Sequence, residues 1–237
     1  HNRVRRQRQM CIRDSNNCAD NLPNSIAVLA AAPRGKLLHA PDCYMDKIAA
    51  GPEMEGHIAL DAGVSYNIEQ VATVMDKPID EVQIIALDRP RHHKLFKEIN
   101  ALGAQLHTLS DGDIAAALWA ARPEGNYDML LGIGAAPEGV ITATAIRGIG
   151  GVFEGRLVFR SDAEEARAAN MIDDDLTRLW SARDLCQSDD AVFVASGVCD
   201  GYLPGVKINQ DGTIGTFAEM IDVASRKITR HDRIHNQ

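Results

Sequence analysis

Short apolar runs alternate with amphipathic segments through the middle of the chain, and this alternation restricts the possible folds more than any other feature. Helical spacing of apolar residues begins near Asn67, and the last continuous apolar run ends at Ser196. A continuous apolar run is typical of a buried strand, whereas i, i+3, i+4 spacing is typical of a helix packed on a sheet. The order β-α-β-α-β-α-β-α-β therefore predicts a layered α/β fold.

The pattern also predicts where the elements lie. A hairpin is expected from two apolar runs, residues 24–32 and 36–39, followed by a loop over 40–47. Ser161 and Glu164 indicate a capping box that opens a long helix reaching Leu179. Shorter paired strands are expected after Gly201. The remaining predicted helices cover residues 67–75, 92–102, 114–121 and 140–146, and the remaining strands cover 82–87, 104–109, 127–133, 155–160 and 191–196.

Composition excludes several classes of partner. The net charge is −8, and residues 1–15 hold five arginines but a single acidic residue, so the rest of the chain is strongly acidic. An acidic surface repels a phosphate backbone, so no nucleic-acid partner is expected. No apolar run approaches the length of a membrane span, so no membrane partner is expected. The five cysteines lack CxxC spacing, which predicts neither a disulfide framework nor a zinc site and favours the cytoplasm.

The stretch from Gly132 to Gly139 is the first candidate for a functional site. It reads as the end of a buried strand, a glycine-bearing turn and a helix with Pro137 near its first turn. Backbone N–H groups at such a helix start can bind an anion. Glu138 lies at the same place and indicates either a divalent cation held beside a phosphate or an acid that complements the helix dipole.

Polar residues follow two further predicted strands, as expected for a site at the carboxyl ends of a sheet. Arg89 and Arg91 flank a proline, which fits either a bidentate phosphate clamp or a solvated basic turn. Asp111 and Asp113 flank a glycine, which fits either contacts to sugar hydroxyls or a metal, or helix capping. His92, next to His93, is interpreted as a surface residue. Together these groups suit a phosphorylated polyol and a divalent cation.

Four stretches carry a resemblance to a known family: APDCYMDK (40–47), RPRH (89–92), SDGDIAA (110–116) and GIGAAPEGVITATAIR (132–147). In order and spacing they resemble the class II fructose-1,6-bisphosphatases, including the bifunctional fructose/sedoheptulose bisphosphatases of photosynthetic bacteria. The resemblance implies the layered fold of the lithium-sensitive sugar phosphatases. It also implies a cytoplasmic phosphoric monoester hydrolase of gluconeogenesis or the Calvin cycle. Such an enzyme removes the 1-phosphate of the bisphosphate with Mn²⁺ or Mg²⁺, commonly as a homo-oligomer.

The resemblance assigns roles by position. Ala135 stands where many relatives have a glycine whose backbone contacts substrate, and an alanine N–H can serve there as well. Glu138 is implied to be a metal ligand. No catalytic residue is assigned, because the family's other metal carboxylates belong to an N-terminal segment that we do not find in this sequence. The implied substrate contacts are Tyr44, Arg89, Arg91, Asp111, Asp113 and Ala135.

We therefore expect an N-terminally truncated enzyme whose first α+β domain is incomplete. Residues 1–15 resemble translated sequencing-adaptor sequence and are interpreted as a non-native head, 16–63 as the remnant of the α+β domain, and 64–237 as a C-terminal α/β domain. Two-metal hydrolysis needs the absent carboxylates, so this chain is predicted to hydrolyse nothing measurable. Unpaired edges are expected at 24–39. The alternatives are a non-catalytic sugar-phosphate binding module and an inositol-phosphatase-like enzyme.

Overall fold

Sheets and helices alternate in layers. The computed structural model describes residues 6–12 and 23–236. Helices cover both faces of a central sheet, and an outer sheet packs on one of the two helical layers. The prediction of a layered α/β fold is confirmed.

The central sheet has six strands among the described residues. They are β3 (Tyr44–Ala50), β4 (Gln83–Leu87), β5 (Gln105–Leu109), β6 (Met129–Ala135), β7 (Val152–Val158) and β8 (Trp180–Ser181). Their order across the sheet is β5-β4-β6-β3-β7-β8. β4 is parallel to β5 and β6, whereas β3 is antiparallel to β6 and β7. The three parallel strands end at the same edge of the sheet, which is where ligands bind in such folds.

The outer sheet is antiparallel throughout. Its strands are β1 (Arg6–Ile12), β2 (Ile26–Pro33), β9 (Val192–Gly197), β10 (Lys207–Ile208), β11 (Ile214–Asp222) and β12 (Lys227–His235). β2 pairs with β1 on one side and β9 on the other, and β11 joins β9, β10 and β12. The expectation of an unpaired edge is therefore wrong for β2. The prediction of paired strands after Gly201 is confirmed.

The helices connect the strands in the predicted order. They are α1 (Val64–Val74), α2 (His93–Leu102), α3 (Asp113–Ala120), α4 (Ala136–Ile149), α5 (Asp162–Met171) and α6 (Ala182–Leu185). Short 3₁₀ turns cover Pro52–Met54, Leu60–Ala62, Ile79–Glu81 and Pro90–His92. Gly103 ends α2 in the left-handed conformation, as its position in the sequence predicts.

The helix α4 lies between the two sheets. It contacts β3, β6 and β7 of the central sheet as well as β2, β9 and β11 of the outer sheet. A helix packed on two sides must be apolar nearly all round, and α4 is buried along most of its length. Its alanines and glycines permit this close approach, and Gly148 faces Ile221 of β11. The other face of the central sheet is covered by α1 and α2, which form a second apolar cluster.

Two local predictions near the first strands are wrong. Residues 36–39 do not form a hairpin strand, and Leu37 instead makes an isolated bridge with Cys186. Residues 40–47 are not wholly a loop, because β3 begins at Tyr44 and runs through the middle of the central sheet. Asp46 and Lys47 conceal this strand in the sequence, since charged residues are rare at the centre of a sheet.

The long helix predicted after Ser161 is also wrong in its extent. Ser161 is the N-cap and accepts a hydrogen bond from Glu164 N, but α5 ends at Met171 and Ile172 is extended. The chain then turns locally, because Asp175 Oδ1 accepts from the backbone N–H and the hydroxyl of Thr177. Aspartates that bond to nearby backbone compete with helix formation.

Some predictions about organisation stay predictions. Part of the predicted non-native head forms β1, and residues 1–5 and 13–22 lie outside the described residues. Both sheets combine strands from the predicted 16–63 and 64–237 segments. None of the helices that the structure describes is long and apolar enough to cross a membrane. Within residues 23–236, Cys43, Cys186 and Cys199 form no disulfide bond.

Candidate functional site

The candidate residues come together at the carboxyl edge of β4, β5 and β6. The segment after β4 carries Arg89 and Arg91, and the segment after β5 carries Asp111 and Asp113. β6 passes directly into α4, so the predicted glycine turn between them is wrong: Gly132 and Gly134 lie within the strand. The sequence pattern thus located the edge correctly, although it misplaced the turn.

Arg89 and Asp111 face each other across the edge. Arg89 Nη1 donates to the Ser110 carbonyl at 2.5 Å, and Nη2 lies 3.4 Å from Asp111 Oδ1. Arg89 is extended and precedes the turn that begins at Pro90, as expected for a residue before proline. About a third of each side chain is exposed, so the pair is open to a ligand.

Arg91 ties the same loop to β6. Its Nε and Nη2 donate to the Ile133 carbonyl at 2.9 and 2.6 Å. Its guanidinium carbon lies 4.7 Å from the centroid of the Tyr44 ring, and that of Arg160 lies 4.8 Å from the same centroid. Partial burial lowers the pKa of Arg91, yet a guanidinium stays charged at any ordinary pH. Tyr44 is therefore an aromatic ring held between cations at this edge.

A buried ion pair lies beneath the edge. Lys47 Nζ is 2.5 Å from Asp113 Oδ2, and the two side chains are 2% and 8% exposed. Asp113 stands in the first turn of α3, but Gly112 is the N-cap, so the capping interpretation of Asp113 is wrong. Sequence reasoning missed Lys47. The signal that could have found it is its place between Met45 and Ala49 on the face of β3 that packs against α4.

Two glycines make room for this pair. A Cβ at Gly134 would overlap Asp113 Oδ2 and would lie 3.0 Å from Lys47 Nζ. A Cβ at Gly139, in α4, would overlap Met45 Sδ and lie 3.5 Å from Lys47 Cε. Gly134 and Gly139 therefore serve close packing over a buried lysine rather than a phosphate-binding turn.

His92 is buried, so its interpretation as a surface residue is wrong. It is 2% exposed, with Nδ1 2.6 Å from the Leu87 carbonyl, and its Nε2 accepts from Ile133 N at 2.7 Å. A ring that faces one carbonyl and one N–H is neutral with its proton on Nδ1. Burial lowers the pKa of His92, which favours this neutral form. The histidine fixes the spacing between the ends of β4 and β6.

Glu138 lies in the first turn of α4, with Pro137 at the start of the helix as predicted. The N-cap Ala135 provides no side-chain hydrogen bond, and the Cys43 carbonyl accepts from Ala136 N. Residues 23–236 contain no group of three or more His, Cys, Asp or Glu side chains placed to hold a metal ion. The described donors therefore do not form a complete divalent-metal site.

A cleft of about 240 Å³ opens beside the edge, on the face of the sheet covered by α1 and α2. Asp46, Arg91, His92 and Asn67 are among its polar lining residues. Burial raises the pKa of Asp46, although the Lys47 N–H donates to its carboxylate at 3.1 Å. The cleft is large enough for a small polar ligand that approaches the edge from this side.

Comparison with known proteins identifies the family. A family model described as bacterial fructose-1,6-bisphosphatase, glpX-encoded, matches residues 11–235. This chain belongs to that family. A relative from Prochlorococcus marinus, named D-fructose 1,6-bisphosphatase class 2/sedoheptulose 1,7-bisphosphatase, is 37% identical over 215 residues, which cover 84% of this chain and 64% of the relative. A relative of the same name from Synechococcus elongatus is 36% identical over 234 residues, which cover 93% of this chain and 68% of the relative.

Family membership agrees with the resemblance found in the sequence. The chain spans 64% of the length of the Prochlorococcus marinus relative. The individual roles of Tyr44, Ala135 and Glu138 stay predictions. These three residues lie at one edge of the central sheet, at the start of β3, the end of β6 and the first turn of α4.

Proposed function

We propose that the whole protein is a divalent-metal-dependent hydrolase that removes the 1-phosphate of fructose 1,6-bisphosphate. Sedoheptulose 1,7-bisphosphate, in the name of the relatives, is proposed as a second substrate. The fold is proposed to be that of the lithium-sensitive sugar phosphatases, and the enzyme to act in the cytoplasm as a homo-oligomer, in gluconeogenesis or the Calvin cycle. The observation that carries the proposal is the convergence of three arginines, Tyr44 and Asp111 at one sheet edge, in a chain of this family.

The described residues suit the recognition of a sugar phosphate. Arg89 and Arg91 supply charge and N–H donors for phosphate oxygens, which guanidinium groups bind well. Asp111 and Asp113 are proposed to accept from sugar hydroxyls, and Asp113 is oriented for this by Lys47. Tyr44, whose ring lies against Arg91 and Arg160, and the Ala135 backbone are also proposed to contact substrate. Glu138 is proposed to be one ligand of Mn²⁺ or Mg²⁺, which prefer carboxylate oxygens.

Binding by the present chain is the first test. Calorimetric titration with fructose 1,6-bisphosphate should detect binding, and Arg91→Gln should weaken it by about tenfold or more because a charged hydrogen bond is lost. Lys97→Gln is the matched control, since Lys97 is an exposed residue of α2 that does not line the cleft. Binding that survives in Arg91→Gln, or no binding by the unaltered chain, would contradict the proposed site.

Turnover is the second test. Residues 23–236 hold no group of three or more His, Cys, Asp or Glu side chains placed to bind a metal, so we propose that they release no measurable phosphate by themselves. A chimera that joins them to a relative's N-terminal segment should release phosphate with Mn²⁺. In an active chimera, Glu138→Gln should abolish turnover with little change in stability, whereas retained turnover would remove Glu138 from the metal site. A chimera that folds and binds the sugar without turnover would instead favour the non-catalytic binding module. An inositol-phosphatase-like enzyme would hydrolyse an inositol phosphate in preference to the fructose bisphosphate.

A further inference from the structure

Arg160 is a third arginine at the candidate site, and neither the sequence motifs nor the family comparison gives it a role. It follows β7, one residue before the N-cap of α5, and its side chain is 56% exposed. Exposed arginines usually sample many conformations, because the side chain loses considerable entropy when it is fixed. Arg160 is instead held by three separate contacts.

The first two side-chain contacts are hydrogen bonds to Glu164, which also accepts from the Arg160 backbone. Arg160 Nε donates to Glu164 Oε1 at 2.7 Å, and Nη2 donates to the same oxygen. The other carboxylate oxygen, Oε2, accepts from the Arg160 backbone N–H at 2.8 Å. The Glu164 hydrogen bond raises the pKa of Arg160. Glu164 is itself 6% exposed, so the carboxylate that positions the guanidinium is fixed in the protein.

The third contact is with Tyr44. The Arg160 guanidinium stacks on the ring at 4.8 Å while Arg91 stacks on the same ring at 4.7 Å. The guanidinium carbons of Arg91 and Arg160 are therefore no further apart than these two distances added together. Both guanidiniums lie against one ring, so a doubly charged anion beside that ring would interact favourably with both. Glu164 accepts from Nε and Nη2 of Arg160, and the Ile133 carbonyl accepts from Nε and Nη2 of Arg91, so the Nη1 groups lie outside these hydrogen bonds. The Arg160 side chain also hydrogen-bonds Tyr44.

We propose that Arg160 binds one of the two phosphate groups of the sugar bisphosphate, together with Arg91, and so determines the preference for a bisphosphate over a monophosphate. The inference rests on the proposed function and adds a residue to it. Arg89 follows β4 and pairs with Asp111, whereas Arg91 and Arg160 lie against Tyr44. The edge therefore offers two cationic positions, as a ligand with two phosphates requires.

The test compares three ligands by calorimetry: fructose 1,6-bisphosphate, fructose 6-phosphate and fructose 1-phosphate. In Arg160→Gln, the affinity for the bisphosphate and for one monophosphate should fall by about tenfold, because one charged contact is lost. The affinity for the other monophosphate should be unchanged. Arg160→Lys keeps the charge without the planar fork, so it should recover part of the loss.

The control is Arg167→Gln, which removes the same charge from an exposed position on α5. It should bind all three ligands as the unaltered chain does. Equal affinities in Arg160→Gln and the unaltered chain, or an equal loss for all three ligands, would overturn the role of Arg160 and leave the proposed function standing. No binding of any ligand by the unaltered chain would overturn both.

Discussion

At the scale of single residues, the buried ion pair of Lys47 and Asp113 fixes the position of one carboxylate in the candidate site. Two charges removed from water are costly, and they are tolerated only when each satisfies the other. Here the pair includes Asp113, itself proposed to contact substrate, and 2% and 8% of the Lys47 and Asp113 side chains are exposed. The pair holds the Asp113 carboxylate in one orientation, while the burial of two charges lowers the stability of the fold.

Lys47→Met should therefore destabilise the chain strongly. The substitution leaves Asp113 buried without its partner, which costs about 3–5 kcal/mol of the free energy of unfolding. Urea denaturation at neutral pH measures the loss. Lys94→Met is the matched control because Lys94 makes only a surface pair with Glu98, and it should change the free energy by less than about 1 kcal/mol. Similar losses in the two variants would contradict the structural role of Lys47.

His92 should make stability depend on pH. Burial lowers its pKa from the ordinary value of 6.5, so the unfolded chain takes up the proton more readily than the folded one. The resulting stabilisation is complete above 6.5 and is lost as the pH falls toward the folded pKa. His92→Gln keeps a donor and an acceptor but does not titrate. Its unfolding free energy should decline less between pH 7.5 and 5.5 than that of the unaltered chain, and an equally steep decline would refute this account.

At the scale of elements, the sequence predicted the parallel strands and failed at β3. The strands β4 and β6 are nearly continuous apolar runs bounded by polar residues, so their place and the edge they share follow from the pattern. In β5 only Leu106 and Leu109 are apolar. Lys47 interrupts the apolar face of β3, and its charge is compatible with a strand only because Asp113 arrives from α3, 66 positions later in the chain. A long-range pair of this kind leaves no local signal.

The junction of β6 and α4 gives a prediction at this scale. Gly134→Ala would place a methyl group against Asp113 and Lys47, so it should destabilise the chain by about 1–3 kcal/mol. Gly215→Ala, on β11, is the control, because its added Cβ meets Lys207 and Phe217 at ordinary contact distances of 3.7 to 3.9 Å. Thermal denaturation should show a lower Tm for the first variant alone. Equal shifts would mean that β6 can move away from the pair.

At the scale of the whole molecule, the two sheets should unfold together. They share α4, and a second buried group joins them: Arg122, after α3, donates to both carboxylate oxygens of Glu219 on β11, at 3.0 and 2.5 Å. Tyr202 donates to the same carboxylate at 2.8 Å. Separating the buried Arg122–Glu219 pair costs free energy, so partial unfolding between the two sheets is disfavoured.

The two tryptophans provide independent probes of this coupling. Trp119 belongs to α3 and packs against Tyr202, whereas Trp180 belongs to β8 of the central sheet. Trp119→Phe and Trp180→Phe leave one fluorophore each. The urea dependence of fluorescence and of far-ultraviolet circular dichroism should give the same midpoint within each variant. A fluorescence midpoint that departs from the circular dichroism midpoint would show that the sheets unfold separately.

The position of α4 also limits how far the protein can be reduced in size. Every residue proposed to contact substrate lies between Tyr44 and Arg160, which invites the design of a shorter ligand-binding fragment. Deletion of β9 and β11 would uncover the side of α4 that faces Ile221, and the exposed apolar surface would favour aggregation. A minimal sugar-binding domain must therefore retain the chain at least through Asp222, or replace the outer-sheet side of α4 with polar residues.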